Sequence, residues 1–365
     1  MRFRFVGLVA TLLVFAAVAP AGVAGASATQ DDCSFPLTVT DATGTEVTIS
    51  ERPERVTTLN PSAAQTMWAL DAESQVVGRT QFAAYLGGAD SKTNVSAAGG
   101  FGVSVEKVVG TEPDLVLAPN TTQQSTVRKL RESGLTVYQF PMASSIEDVA
   151  GKTTTIGRLT GNCEAAARTN AWMEANVEAA REATADSEAP SVLYPLGSGY
   201  VANTDTFISA MIEASGGTNA VAEANVSRAY PQLSDEVILR ISPEVIVTTD
   251  SNRYLLGEEP YASTPAGENN RTVDVDVNYL NQPAPLSVVY SVRNLTAGFH
   301  PDAEAAFVAK SEVQVGTPTS SPTESTATDT ATAEPTDATT PTSQPGFGLA
   351  AALLALVGLS LFGRL

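Results

Sequence analysis

The chain has 365 residues, 43% of them hydrophobic, enough for two modest cores, and sets 21 Lys and Arg against 40 Asp and Glu for a net charge of -19. That balance excludes nucleic acid and anionic lipid as partners, since both are recognised through a basic footprint. Lysine is confined to Lys92, Lys107, Lys129, Lys152 and Lys310; an acid-rich, lysine-poor surface suits work in very high salt, with a plain acidic extracellular protein as the blander reading.

Arg2 and Arg4 precede an apolar run over residues 5–18, and Ala24-Gly25-Ala26 and Ala26-Ser27-Ala28 are both A-x-A cleavage candidates. Residues 1–28 therefore read as a secretory signal peptide, a retained membrane anchor being the alternative; the two arginines are not adjacent, so no twin-Arg signal is read. Residues 33–143 are expected to form an N-terminal α/β lobe. Residues 35–49 alternate about a turn at Asp41-Ala42-Thr43-Gly44 and predict a β-hairpin. Residues 55–59 predict a strand, Asn60-Pro61-Ser62 a turn and helix cap, and residues 63–70 the helix. Val76-Val77-Gly78 begins the next strand, and residues 79–102 read as a long loop carrying Gln81, Phe82, Tyr85 and Phe101. A helix over 125–133, ended by Gly134, and a strand over 135–140 complete the lobe.

One unit occurs twice. Residues 104–117 run SVEKVVGTEPDLVL and residues 234–247 run SDEVILRISPEVIV. In each, a Ser (Ser104, Ser234) precedes a Glu (Glu106, Glu236) by two positions, and that Glu precedes a Pro (Pro113, Pro243) by seven. The pattern reads as a short Ser-capped helix with an acid in its first turn, stopped by the Pro and followed by a strand buried on both faces. Its recurrence a domain length away implies two similar α/β lobes, not one large sheet.

Residues 144–187 read as connecting helices: one opens at Ser144-Ser145-Ile146, breaks at Gly161-Asn162, and gives way to an Ala-rich helix over 163–184 with Asn162 as its cap. At 1.5 Å per residue that helix is roughly 30 Å long, enough to cross from lobe to lobe. The C-terminal lobe is expected over 188–310. It offers a strand over 191–194, then Leu196-Gly197-Ser198-Gly199-Tyr200, a helix over 206–215, Tyr230-Pro231-Gln232, the second copy of the unit and a loop over 248–265. Residues 273–277 alternate as a strand with one wet face, and a last helix runs over 287–297.

Cys33 and Cys163 are the two cysteines, and in an exported protein they read as one disulfide. The alternative is a lipid-bearing Cys33, against which the acidic Gln30-Asp31-Asp32 argues. Asn94, Asn120, Asn225, Asn270 and Asn294 each head a glycosylation sequon, which implies surface positions. The inventory argues against an enzyme: His300 is the single histidine, no G-x-S-x-G elbow or Walker A motif exists, and a zinc site lacks ligands. No catalytic residue, metal or cofactor is assigned.

Residues 311–344 are rich in Thr, Ser and Pro and read as a solvated, disordered stalk. Residues 345–365 join Pro345-Gly346-Phe347, an apolar run and a terminal Arg364. This tripartite tail resembles the PGF-type sorting signal of haloarchaeal surface proteins, which implies a tail exchanged for a lipid anchor; a plain membrane helix is the alternative. Either way the protein is expected at the outer face of the cell membrane.

Pro61-Ser62-Ala63 with Trp68-Ala69-Leu70, residues 105–118, Gly157-Arg158-Leu159-Thr160-Gly161, Gly216-Gly217-Thr218-Asn219 and residues 231–236 together resemble the vitamin B12 and ferric-siderophore substrate-binding proteins of ABC importers. The resemblance covers about residues 35–310; Gln65 stands where that family often has Glu, and Asp71 where it often has Gly. It implies two Rossmann-like lobes joined by one long helix, a monomer that docks Glu106 and Glu236 onto a permease dimer served by ATPase subunits. Two symmetry-related acids suit such a dimer; an acid favouring a helix N-terminus is the plain alternative. The cleft is expected at the C-terminal strand ends. Candidates are Asn60, Gln81, Phe82, Tyr85, Phe101 and Asn120 from one lobe, and Tyr194, Ser198, Tyr200, Tyr230, Ser251, Asn252 and Arg253 from the other. Those loops carry few cations, chiefly Arg79, Arg228 and Arg253, which favours a corrinoid such as cobalamin over an anionic ferric siderophore. Haem, a neutral siderophore, and a non-transport surface receptor or adhesin remain alternatives.

Overall fold

The computed structural model describes residues 33–314. The expected signal peptide (1–28), the stalk beyond residue 314 and the tail (345–365) lie outside the described residues. Strands β1 (Leu37–Thr40) and β2 (Glu46–Ile49) form the antiparallel hairpin read from the sequence. Asp41 holds its turn and stitches it to the lobe: its carboxylate accepts from Thr43 N (2.8 Å), Thr45 N (3.2 Å) and Gln139 N (3.1 Å) and pairs with Arg131 at 2.5 Å. Burial pulls the Asp41 carboxyl upward, but these hydrogen bonds outweigh it and keep the group below the usual carboxylate range.

Next come β3 (Val56–Thr58), α1 (Pro61–Ala69), β4 (Val76–Arg79), β5 (Thr93–Asn94), α2 (Val105–Gly110), β6 (Leu115–Ala118), α3 (Gln124–Glu132) and β7 (Val137–Gln139). The five parallel strands take the order β5-β4-β3-β6-β7. The apolar run of β6 is buried on both faces: Leu115 and Leu117 enter one core, Val116 and Ala118 the other.

Helix α4 (Ile146–Thr160) starts on a reciprocal capping box between Ser145 and Asp148 and stops at Gly161, whose φ of 71° is left-handed. Helix α5 (Cys163–Thr184) then serves both lobes. Ala166 packs in the core of the first, while Trp172, Met173, Val177 and Ala180 pack in that of the second. Cys33 is disulfide-bonded to Cys163 with Cα atoms 6.0 Å apart, tying the hairpin segment to the first residue of this rod. Asn162 stands at the cap position but does not cap; its Nδ2 donates to Gln75 Oε1 (2.7 Å) and its Oδ1 accepts from Arg52 (3.0 Å).

The second lobe holds β8 (Ser191–Leu193), β9 (Pro195–Gly197), β10 (Tyr200–Val201), α6 (Phe207–Ala214), β11 (Thr218–Asn219), α7 (Asp235–Ile241), β12 (Val245–Thr248), α8 (Pro265–Glu268), β13 (Thr272–Asp274), α9 (Val277–Leu280) and α10 (Pro285–Phe299). Its four parallel strands take the order β11-β8-β12-β13, and β12 splits its side chains between two cores as β6 does. Residues 273–277 are not one strand: β13 ends at Asp274, and the Asp276 carboxylate accepts from Asn278 N at 2.8 Å to start α9. The short β5 and the β9–β10 hairpin lie in stretches read as loop. His300 caps α10 but is buried, with Nε2 3.0 Å from Gly216 O. All five sequon asparagines are exposed. Among the described residues no helix is long and apolar enough to cross a membrane.

Candidate functional site

In each lobe the winding reverses beside the first strand, between β3 and β6 and between β8 and β12. Loops diverge outside the C-terminal ends of such strand pairs, where open α/β sheets bind ligands. In the first lobe this place is a cavity of about 620 Å³ lined by Asn60, Thr80, Phe82, Phe101, Pro119 and Thr122, among others. Asn60 is fixed by its capping role, Oδ1 accepting from Ala63 N at 3.0 Å. Phe82 is 49% exposed and Phe101 87%, so packing within the lobe accounts for neither ring. Gly99, Gly100 and Gly102 all have positive φ, and a Cβ at Gly100 would fall 2.1 Å from Gln81 Nε2, so this loop requires glycine to carry Phe101 outward.

Gln81 itself braces that loop: its backbone N–H donates to Ser96 Oγ (2.9 Å) and its Nε2 lies 3.4 Å from Gly100 O. Asn120 is exposed and lines a small recess next to the cavity. Tyr85 lies in the seam between lobes, its OH accepting from Gln65 Nε2 (2.7 Å) and its ring edge-on to Tyr279 at 5.7 Å. Burial pushes this phenol up to about 12, with the Gln65 hydrogen bond opposing and Tyr279 and Asp276 adding to the rise. Gln65 uses both ends of its amide, since Oε1 accepts from Ser287 N (2.9 Å) and Oγ (3.0 Å). A carboxylate there could not donate to Tyr85. Asp71 has φ 55°, which explains a preference for glycine at that position, and its carboxylate meets Lys310 Nζ at 2.8 Å.

The second lobe sorts its candidates differently. Tyr200 is 46% exposed and Tyr230 50%, while Ser198 sits at the hairpin tip with φ 52° and its carbonyl accepts from Gln232 Nε2. Tyr194 is a correction: it shares a face with Val192 and is buried in the core beside Trp172 and Phe207. Asn252 is also withdrawn, with Oδ1 accepting from Thr249 N (2.6 Å) and Nδ2 donating to Pro195 O (2.6 Å), which clips the loop after β12 to the one after β8. Ser251 pairs its hydroxyl with Thr249 Oγ1 at 2.9 Å. Arg253 is engaged by Asp274 at 2.6 Å. Tyr254, passed over in the sequence, is 61% exposed in the turn after β12. No cluster of metal-ligating side chains occurs among the described residues.

Glu106 and Glu236 are exposed in the first turns of α2 and α7, and neither makes a side-chain hydrogen bond or ion pair among the described residues. One turn on, Val109 and Leu239 are exposed at the same register, while Val108 and Ile238 before them are buried.

Residues 56–279 match the family described as periplasmic binding protein. The chain is 44% identical over 315 residues to a cobalamin-binding protein of Halobacterium salinarum, covering 82% of this chain and 85% of that one. It is 28% identical over 307 residues to an uncharacterised ABC transporter substrate-binding lipoprotein of Bacillus subtilis, covering 81% and 95%. Among solved structures, the apo periplasmic heme-binding protein RhuT from Roseiflexus sp. RS-1 superposes with a TM-score of 0.59 at 24% identity, over 68% of this chain and 99% of that one. A likeness at that identity speaks for the fold. The chain belongs to the periplasmic binding protein family, exported proteins that bind a small molecule for an ABC transporter.

Proposed function

We propose that this protein is the extracellular substrate-binding component of an ABC importer, and that its cargo is a corrinoid, cobalamin, held between the two lobes. The observation that carries the cargo is the 44% identity to a cobalamin-binding protein over most of both chains. The exposed rings of Phe82 and Phe101 support it, since they offer flat apolar surface with no task in the fold. Scarcity of free cations supports it further: of the three arginines on these loops, Arg253 is paired with Asp274, Arg79 is buried with its guanidinium on the Ala89 carbonyl at 3.1 Å, and Arg228 alone is exposed with no side-chain partner among the described residues. A chelate carrying several negative charges would find few cations to match them, Arg228 and the recessed Lys152 at most. Glu106 and Glu236, with Val109 and Leu239 beside them, form two matched contacts for a dimeric permease. The tail beyond the stalk anchors the protein at the outer face of the membrane.

Calorimetric titration in multimolar salt with cobalamin, a ferric siderophore and haem tests the reading. Cobalamin is expected to bind with a Kd below about 1 μM and the other two at least tenfold more weakly. Tighter binding of haem or of the siderophore would replace the cargo, and binding of none would favour a receptor or adhesin.

A further inference from the structure

At the seam between the lobes lies a cation without an anion. Lys152 belongs to α4, on the stripe whose neighbours Val149, Thr153 and Ile156 are buried. Its Nζ donates to Ser62 Oγ on α1 and to the carbonyl of Pro283 ahead of α10. Ser62 Oγ donates in turn to that same carbonyl at 2.6 Å. Both partners are neutral oxygens, and no carboxylate pairs with Lys152 among the described residues. Burial alone pulls the ammonium pKa down to about 7; Ser62, Asn120, Phe140 and Pro283, which line the same space, do not titrate at this pH.

Lys152 helps line a recess of about 30 Å³ with Asn60, Asn120, Phe140 and Pro283. The recess opens at the C-terminal ends of β3, β6 and β7 and shares Asn60 and Pro119 with the large cavity. Its volume admits about two water-sized groups, hence the oxygens of one small anionic group but not a ring. An ammonium has three donors, and neutral acceptors take two of them here. Asn60 spends its Oδ1 on Ala63 N, which leaves its Nδ2 unengaged among the described residues.

We propose that Lys152, with the amides of Asn60 and Asn120, forms a subsite for an anionic oxygen group of the cargo, which in cobalamin is the phosphodiester of the nucleotide arm. This rests on the corrinoid reading above. The cation stays in the seam because the loaded state supplies its counter-ion.

The test is calorimetric titration of the full chain in multimolar salt with cobalamin and with cobinamide, the corrinoid lacking the nucleotide arm and its phosphodiester. Lys152→Met is expected to weaken cobalamin binding about ten- to a hundredfold and to leave cobinamide within about threefold; Lys152→Arg, which keeps the charge, recovers most of the loss. Equal losses for both ligands would make Lys152 a fastener of the lobes and overturn the inference, as would no loss at all, and in both cases the corrinoid reading stands. A wild-type protein that binds neither corrinoid removes that reading and this inference together.

Discussion

The two copies of the repeated unit differ in how their helices begin and agree in the turn and strand behind them. In the first lobe Ser104 Oγ accepts from Lys107 N at 3.3 Å; in the second Ser234 makes no such bond. Both helices form regardless, because Val108 and Ile238 are buried at matching positions. The acid after each Pro has a task in the fold. Asp114 Oδ2 accepts from Glu54 N and Arg55 N, each at 2.9 Å, and Glu244 Oε2 accepts from Ser191 N at 2.8 Å. Each carboxylate thus ties its strand to the start of the neighbouring one, β3 or β8. Glu106 and Glu236 have no such task. Within one motif, then, the acids that hold the lobe together separate from acids with no task in the fold, the pair that the proposed docking would use.

The strongest way to break that division is the double substitution Glu106→Ala with Glu236→Ala. Uptake by cells or by a reconstituted transporter should fall about a hundredfold, while ligand affinity and melting temperature stay unchanged. Undiminished uptake would return both residues to the role of ordinary helix acids. Next in size, Asp114→Ala should cost about 2 kcal/mol and Glu244→Ala about 1 kcal/mol in denaturant unfolding at fixed salt, following the number of backbone donors each releases. Equal effects from all four acids would erase the distinction.

Lys152 extends the comparison to the seam. Its pKa in the folded protein, about 7, lies below the ordinary 10.5, so below pH 7 both states are protonated and the burial penalty is fully present. Between pH 7 and 10.5 the folded state sheds the proton while the unfolded chain keeps it, so stability of the unliganded protein rises across that window. Lys152→Met should flatten the rise in unfolding curves taken at a series of pH values. The smallest effect is expected at Asp71→Gly, which relieves a left-handed backbone but loses the ion pair with Lys310; the net change should stay within about 0.5 kcal/mol.

Much of this fold was legible because its signals are local. Asn60-Pro61 starts α1, Ser145 with Asp148 starts α4, and the apolar runs of β6 and β12 announce strands covered on both faces. What escaped is too short to show a pattern of its own. β5 is two residues long and exists only through its pairing with β4, and the β9–β10 hairpin is similarly brief. The candidate site was legible in part as a place in the fold. Phe82 and Phe101 line the cavity, whereas Tyr194 turns inward because a strand alternates faces and Val192 already points into the core. Lys152 had a signal that went unused: three after Val149 and four before Ile156, it falls on the buried stripe of α4, where a lysine needs a reason.

The central claim is that both lobes close on one corrinoid. Hydrogen–deuterium exchange with and without cobalamin, in multimolar salt, tests it most directly. The account predicts simultaneous protection of residues 80–86 and 99–103 in the first lobe and of residues 196–200 and 249–257 in the second. Protection confined to one lobe, or none in any of these loops at saturating cobalamin, would contradict it.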